Sequence, residues 1–131
     1  MIVVDTCILS AAFRRKNSPT EARVELFRQM IVEDWALAIP GIVLQEFLTG
    51  FRLDRQFQRA RRVLQGFPVL LANQEDHELA ARIRSQCLAK GIAGHGIDCL
   101  IAALTINRKS RLMTADADFV KMSQICDLKL I

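Results

Sequence analysis

The sequence predicts a three-layer α/β/α sandwich around a mostly parallel central sheet of four to five strands. Three observations carry this reading. Short apolar runs alternate with helix-period segments along nearly the whole chain, the pattern of crossover units that build a parallel sheet. The first run, Ile2-Val3-Val4, is apolar at every position, as a strand covered on both faces must be, and it stops at Asp5. With 131 residues, 51% of them apolar, three Pro and six Gly, the chain has material for one core and shows no linker, repeat or low-complexity tract. Residues 1–131 therefore read as a single domain.

The elements follow in order. After the strand Ile2–Val4, a short helix runs from Ile8 to about Phe13 and closes on the basic patch Arg14-Arg15-Lys16. Ser18-Pro19-Thr20-Glu21 is a helix start, with Pro near the first turn and an acid after it. That helix runs to about Val32, with Val24, Phe27 and Ile31 on one apolar face and Leu26 and Met30 on another. Trp35 to Ile39 is a second strand, which Pro40 ends while opening a helix from Gly41 to about Gly50. A further helix covers about Leu53 to Gln65, and Phe67 to Leu71 is a third strand. Residues from about Gln74 to Lys90 are helical until Gly91 stops them. Another helix spans about Ile97 to Asn107, a fourth strand Arg111 to Thr114, a short helix Asp118 to Met122, and a last edge strand Leu128 to Ile131.

Composition narrows the class. The longest apolar stretch, Trp35 to Leu44, contains Pro40 and Gly41 and falls well short of the twenty or so residues that span a bilayer. The N-terminus meets an acid at position 5 and has no basic region, unlike a signal peptide. Cys7, Cys87, Cys99 and Cys126 form no C-x-x-C pair and no cluster with His, which reads as reduced thiols in a cytoplasmic protein. The net charge of +4, from 18 basic against 14 acidic residues, leans towards a polyanionic partner without deciding anything alone.

The chemistry lies in the acids. Ligands bind an open parallel sheet outside the carboxyl ends of its strands. Asp5 follows the first strand and Asp116 lies just past the strand ending at Met113-Thr114, so a parallel sheet delivers both to one edge. Each alone reads equally well as a turn former or helix cap. Glu46 sits in a helix whose stripe is Leu44, Phe47, Leu48 and Phe51, flanked and backed by Ile42 and Val43. A helix apolar almost all round is covered on several sides, and a carboxylate there calls for an arginine or a cation. Asp98 opens the helix carrying Ile97, Leu100, Ile101 and Leu104, where the dipole favours an acid in any case. The glycines at 91, 94 and 96 leave room near it, or form a plain loop. Four acids from four elements repel if gathered. A hard divalent cation, Mg²⁺ or Mn²⁺, removes that repulsion, activates water and stabilises charge on a phosphodiester.

These residues resemble those of the PIN-domain ribonucleases, most closely the VapC-type toxins of toxin–antitoxin pairs. The matching segments are Ile2 through Leu9 with Asp5-Thr6-Cys7, Glu46 after the second strand, Asp98 through Ala103, and Leu112 through Phe119 with its Thr-x-Asp-x-Asp-Phe ending. The resemblance implies a PIN-like fold and a metal-dependent endoribonuclease acting on structured RNA such as tRNA, rRNA or mRNA. It implies Asp5, Glu46, Asp98 and Asp116 as the catalytic and metal-binding acids, with Thr114 and Thr6 in support. Asp118 either joins Asp116 or caps the short helix before Phe119. The resemblance also implies a homodimer and a VapB-type antitoxin that covers the acidic groove.

Arg52, Arg55, Arg59 and Arg62 recur at i, i+3, i+7 and i+10, opposite Leu53, Phe57, Ala60 and Leu64. They form either a solvated face or a ridge that meets RNA phosphates. Arg14, Arg15 and Lys16 are a second such patch. With no Tyr and one Trp, platforms for base stacking are sparse. His77 reads as a solvated helix start. His95, three residues before Asp98, reads as a loop residue or a neighbour of the site. Cys7 and Cys99 adjoin predicted acids but have no matched base to make a nucleophile. Glycine-rich phosphate loops and nucleophile elbows are absent from the sequence. Three other functions remain: a PIN-type RNA-processing nuclease that is not a toxin, an inactive RNA- or metal-binding module, and a phospho-accepting regulatory module. The last lacks an acid after the third strand and a Lys after Thr114.

Overall fold

The computed structural model describes residues 1–13 and 21–131. Arg14, Arg15, Lys16 and the expected helix start at Ser18-Pro19-Thr20 lie outside the described residues.

Among the described residues the order is β1 (Ile2–Val4), α1 (Thr6–Phe13), α2 (Glu21–Val32), β2 (Leu37–Pro40), α3 (Gly41–Thr49), α4 (Asp54–Leu64), β3 (Val69–Leu70), α5 (Gln74–Lys90), α6 (Gly96–Asn107), β4 (Arg111–Met113), α7 (Ala117–Met122) and β5 (Lys129–Leu130). The five strands form one sheet in the order β3-β2-β1-β4-β5. Every pairing is parallel, with Val3 opposite Ala38 on one side and Leu112 on the other. β1 and β2 are buried at every residue, so the sheet is covered on both faces and β1 lies at its centre. The α/β/α expectation holds, and the sheet is wholly rather than mostly parallel.

Several boundaries and faces differ from expectation for local reasons. α1 begins at Thr6 because the Asp5 carbonyl accepts the Ile8 and Leu9 amides and so continues directly into the helix. Trp35 is no strand residue. Its amide closes the end of α2 on the Met30 carbonyl after Asp34 turns at φ 58, and its side chain is 47% exposed. Pro40 is the last residue of β2 and the N-cap of α3 at once. α2 buries a single line, Val24, Phe27 and Met30, while Leu26 and Ile31 face out. Ile97 is exposed in the first turn of α6, and the buried part of that helix is Cys99 with Ile101 through Thr105. Leu53 is exposed at the N-cap of α4, leaving Ala60 and Leu64 as that helix's buried residues.

Two devices position α6. Gly91 ends α5 in the left-handed region at φ 64, which favours glycine. Gly94 is packed rather than open, since a Cβ there would stand 2.9 Å from Cys87 Sγ. The Gly94 carbonyl accepts from Arg84 at 2.7 Å, tying the loop to α5. At the other end Asp76, fully buried, shares a capping box with Asn73 and accepts from Asn107 at 2.9 Å and Arg108 at 3.1 Å. Arg108 also donates to the Leu71 carbonyl. This ion pair staples the start of α5 to the end of α6. All four cysteines are free, as expected.

Candidate active site

β1 and β4 are adjacent and parallel, so the acids that follow them leave at the same edge. The Asp5 amide donates to the Met113 carbonyl at 3.1 Å, carrying the pairing one step past the strand end. The Asp5 carboxylate is 6% exposed and held by three donors. The Thr6 amide reaches Oδ1 at 2.7 Å, and the Thr114 hydroxyl and Cys7 thiol reach Oδ2 at 2.8 and 3.2 Å. Thr114 Oγ1 also accepts the Asp116 amide at 3.1 Å, so one hydroxyl aligns both acids. The Thr6 hydroxyl donates to Glu46 Oε1 at 2.8 Å and brings in α3.

Asp116, not Asp118, caps α7: its Oδ1 accepts the Asp118 amide at 2.9 Å. Among the described residues, no hydrogen bond or ion pair of the Asp118 side chain joins it to the other acids. Glu46 is exposed, which corrects the expectation of a carboxylate enclosed by an apolar helix. Val43 and Phe47 are the buried residues of α3, and Glu46 lies on the face turned towards Thr6.

Asp98, in the first turn of α6, completes the group. Burial first, then the negative charges of Asp116 and Asp5, push its carboxyl up to about 6. Glu46 adds to the rise, and His95, the exposed N-cap of α6, opposes it. The four acids from four elements thus share one electrostatic environment. Among the described residues none of them is ion-paired to an arginine or lysine.

This donor set fits a hard divalent cation: it is all oxygen, negatively charged and without an internal counter-ion. No three His, Cys, Asp or Glu side chains among the described residues close around a single point. That also suits Mg²⁺, which keeps several waters and takes only one or two carboxylates directly.

Cys7 is the site residue that sequence reasoning set aside. Burial, then the Asp5 charge, raises its thiol to about 11, so at neutral pH it donates S–H to Asp5. Its sulfur accepts the Ala115 amide at 3.3 Å and so links α1 to the loop after β4. Nothing in the spacing distinguishes such a thiol from an ordinary core cysteine. The arginines lie further out. Arg55, Arg59 and Arg62 are exposed on α4, and Arg52 is exposed in the turn before it.

Comparison with known proteins agrees with this geometry. The PIN domain family model matches residues 2–125. VapC ribonuclease Mb1587 of Mycobacterium bovis and ribonuclease VapC11 of Mycobacterium tuberculosis are each 32% identical to this chain, over 98% of it and 96% of the relative. FitAcB from Neisseria gonorrhoeae superposes with a TM-score of 0.78 at 20% identity, over 100% of this chain and 96% of that one. VapBC2 from Rickettsia felis, solved bound to a promoter DNA fragment, also gives 0.78, at 23% identity over 100% and 98%. These two likenesses show the fold. The family model and the relatives, which span nearly the whole chain, show that it belongs to the PIN-domain family, among the VapC ribonucleases.

Proposed function

We propose that this chain is a Mg²⁺- or Mn²⁺-dependent endoribonuclease that hydrolyses phosphodiester bonds in structured RNA, as the toxin of a toxin–antitoxin pair. The observation that carries the reading is the convergence of three carboxylates, Asp5, Glu46 and Asp116, on a fourth, Asp98, with no ion-paired arginine or lysine among the described residues, in a chain of the VapC family.

Asp5, Asp98, Asp116 and Glu46 are the residues that would hold the metal. Bound there, it would activate water and stabilise charge on the scissile phosphate. Asp5 is held as an acceptor by Thr6, Cys7 and Thr114, and so keeps both oxygens oriented. Thr114 fixes the spacing of Asp5 and Asp116 through a single oxygen. Glu46 is turned to the same edge by Thr6. Asp98, its carboxyl raised to about 6, is ionised and available as a ligand at neutral pH and loses that role as it is protonated in acid. Asp118 is placed outside this set, since it is not among the acids whose charge acts on Asp98 and no hydrogen bond among the described residues ties its side chain to the other acids. The exposed arginines of α4 supply phosphate contact, and Arg14, Arg15 and Lys16 are assigned the same role on sequence grounds.

VapBC-5 from Mycobacterium tuberculosis, which this fold also resembles, belongs to the VapBC family of toxin–antitoxin systems. By that likeness the partner of this chain is a VapB-type antitoxin; membership of the VapC family further leads us to propose a basic antitoxin side chain at the acidic edge and a homodimer.

The test is expression of wild type and Asp98→Asn under tight induction, with new RNA 5′ ends mapped across the transcriptome. Ends at one or a few sites, present only with the wild type and lost with chelator in vitro, are expected. Cleavage that survives both Asp98→Asn and chelation overturns the proposal.

A further inference from the structure

Phe13, Phe47 and Phe51 form a cluster that the sequence did not reveal. The ring of Phe13 lies 4.9 Å from that of Phe47 and 5.9 Å from that of Phe51, and Phe47 and Phe51 are 5.1 Å apart, all edge to face. Only Phe47 is buried. Phe13 and Phe51 are partly exposed, and they line two adjoining cavities. One, of about 290 Å³, is walled by Ser10, Phe13, Phe47, Gly50 and Phe51. The other, of about 560 Å³, is walled by Phe13, Gly50, Phe51, Gln56 and Arg59.

Their position ties them to the acids. Thr6 begins α1 at the acidic edge, and Phe13 ends the same helix about 10 Å further on at 1.5 Å per residue. Glu46 on α3 faces Thr6, and Phe47 and Phe51 follow it. The two helices therefore lead from the carboxylates to the aromatic cavities. Arg59 stands at the far wall and makes no ion pair among the described residues. Another large cavity, walled by Ile31, Trp35, Leu37, Val63, Phe67 and Pro68, opens at the starts of β2 and β3, the opposite edge of the sheet. No arginine lines it.

We propose that the Phe13–Phe51 cavity is a nucleotide subsite: an unpaired base beside the scissile phosphate stacks on the phenylalanines while Arg59 holds its phosphate. Ser10 and Gln56 supply a hydroxyl and an amide for the base edge. The subsite rests on the ribonuclease reading above. Its chemistry favours a nucleotide over an apolar protein helix, because among the described residues aromatic side chains are joined to a cation with no ion-pair partner and two neutral hydrogen-bonding side chains, with no carboxylate in the lining.

The experiment uses the full chain carrying Asp98→Asn, so that RNA is bound and not cut. Fluorescein-labelled oligo(A) and oligo(U) octamers are titrated by anisotropy at several salt concentrations. Adding Phe51→Leu, which keeps apolar volume and removes the ring, is expected to weaken binding roughly five- to hundredfold with an unchanged salt slope. Arg59→Gln is expected to lower the logarithmic salt slope by about 0.7 instead. An abasic residue walked along the octamer should weaken binding at one position in the parent and have no further effect in Phe51→Leu. If Phe51→Leu fails to fold, the abasic walk on the parent and on Gln56→Ala decides, Gln56→Ala being expected to narrow the difference between oligo(A) and oligo(U). Binding indifferent to Phe51→Leu and to every abasic position overturns the subsite while leaving the nuclease intact. So does a Phe51→Leu chain that loses its antitoxin and keeps its RNA affinity, which assigns the cavity to a protein partner. Absence of RNA binding and of wild-type cleavage alike overturns the nuclease and the subsite together.

Discussion

Asp98 bears the conflict between fold and site. Its carboxyl is raised to about 6 by burial and by its acidic neighbours, so without metal the folded chain holds its charged form less well than the unfolded chain does. Its contribution to stability is therefore complete below the unfolded value near 3.9 and is lost as pH rises through about 6. In chelator, Asp98→Asn should unfold at higher urea than wild type at pH 7.5, with the gap closing towards pH 4; urea melts across that range check it. Thr114 offers the opposite case. Thr114→Val removes the donor to Asp5 Oδ2 and the acceptor for the Asp116 amide. A change beside the ligands of this kind is expected to weaken Mn²⁺ binding about 10- to 100-fold, read by calorimetry. It should also cost about 1–3 kcal/mol in urea denaturation, because a buried carboxylate loses a partner.

At the scale of elements, the joint between α5 and α6 sets where Asp98 stands. Burial alone would raise the Asp76 carboxyl, but the Asn73 amide, Asn107 and Arg108 outweigh it and hold it below its usual value. A carboxylate so held stabilises the fold above its unfolded pKa, and the stabilisation fades as pH falls through the lower folded value. Asp76→Ala removes the shared acceptor of Asn73, Asn107 and Arg108 and is expected to cost about 1–3 kcal/mol, measured by urea denaturation at pH 7. The loss should shrink in acid. The sequence concealed this residue inside the run Glu75-Asp76-His77-Glu78, which looks uniformly solvated. Helical geometry turns one of its acids inward and leaves its neighbours out, and the arginine that meets it lies 32 positions away. Glu46 misled in the other direction. The residues around it are apolar, yet Val43 and Phe47 take the buried face and Glu46 the open one.

For the whole molecule, alternation and short apolar runs were enough to read the α/β/α order and the edge at which the acids emerge. Tertiary partners were not legible. Nothing local shows that Cys7 bridges two strand ends, or that Phe13 and Phe51, far apart in sequence, share a cavity. The same limit applies to charge. A spacing of i, i+3, i+7 and i+10 marks an arginine ridge, but Arg52 precedes α4 and only the other three ride on it. RNA affinity should therefore fall steeply with salt, with a logarithmic slope of about 0.7 per phosphate contact on a single strand. Arg55→Gln and Arg62→Gln should each lower that slope in filter binding without changing which oligomer is preferred.

The place of β1 bears on how the protein is made. β1 comes before the other four strands in the chain yet is the middle of the sheet, and one of its two neighbours is β4, so Thr114 meets Asp5 across 109 positions. A nascent chain that halts before Arg111 has β1 bare along one side and lacks both the hydroxyl that orients Asp5 and the Asp116 carboxylate. Such a fragment keeps the Thr6–Glu46 hydrogen bond but has no β4 end to set Asp116 beside Asp5. Translation interrupted before Arg111 thus leaves the acidic edge unassembled, whatever else of the sheet has formed.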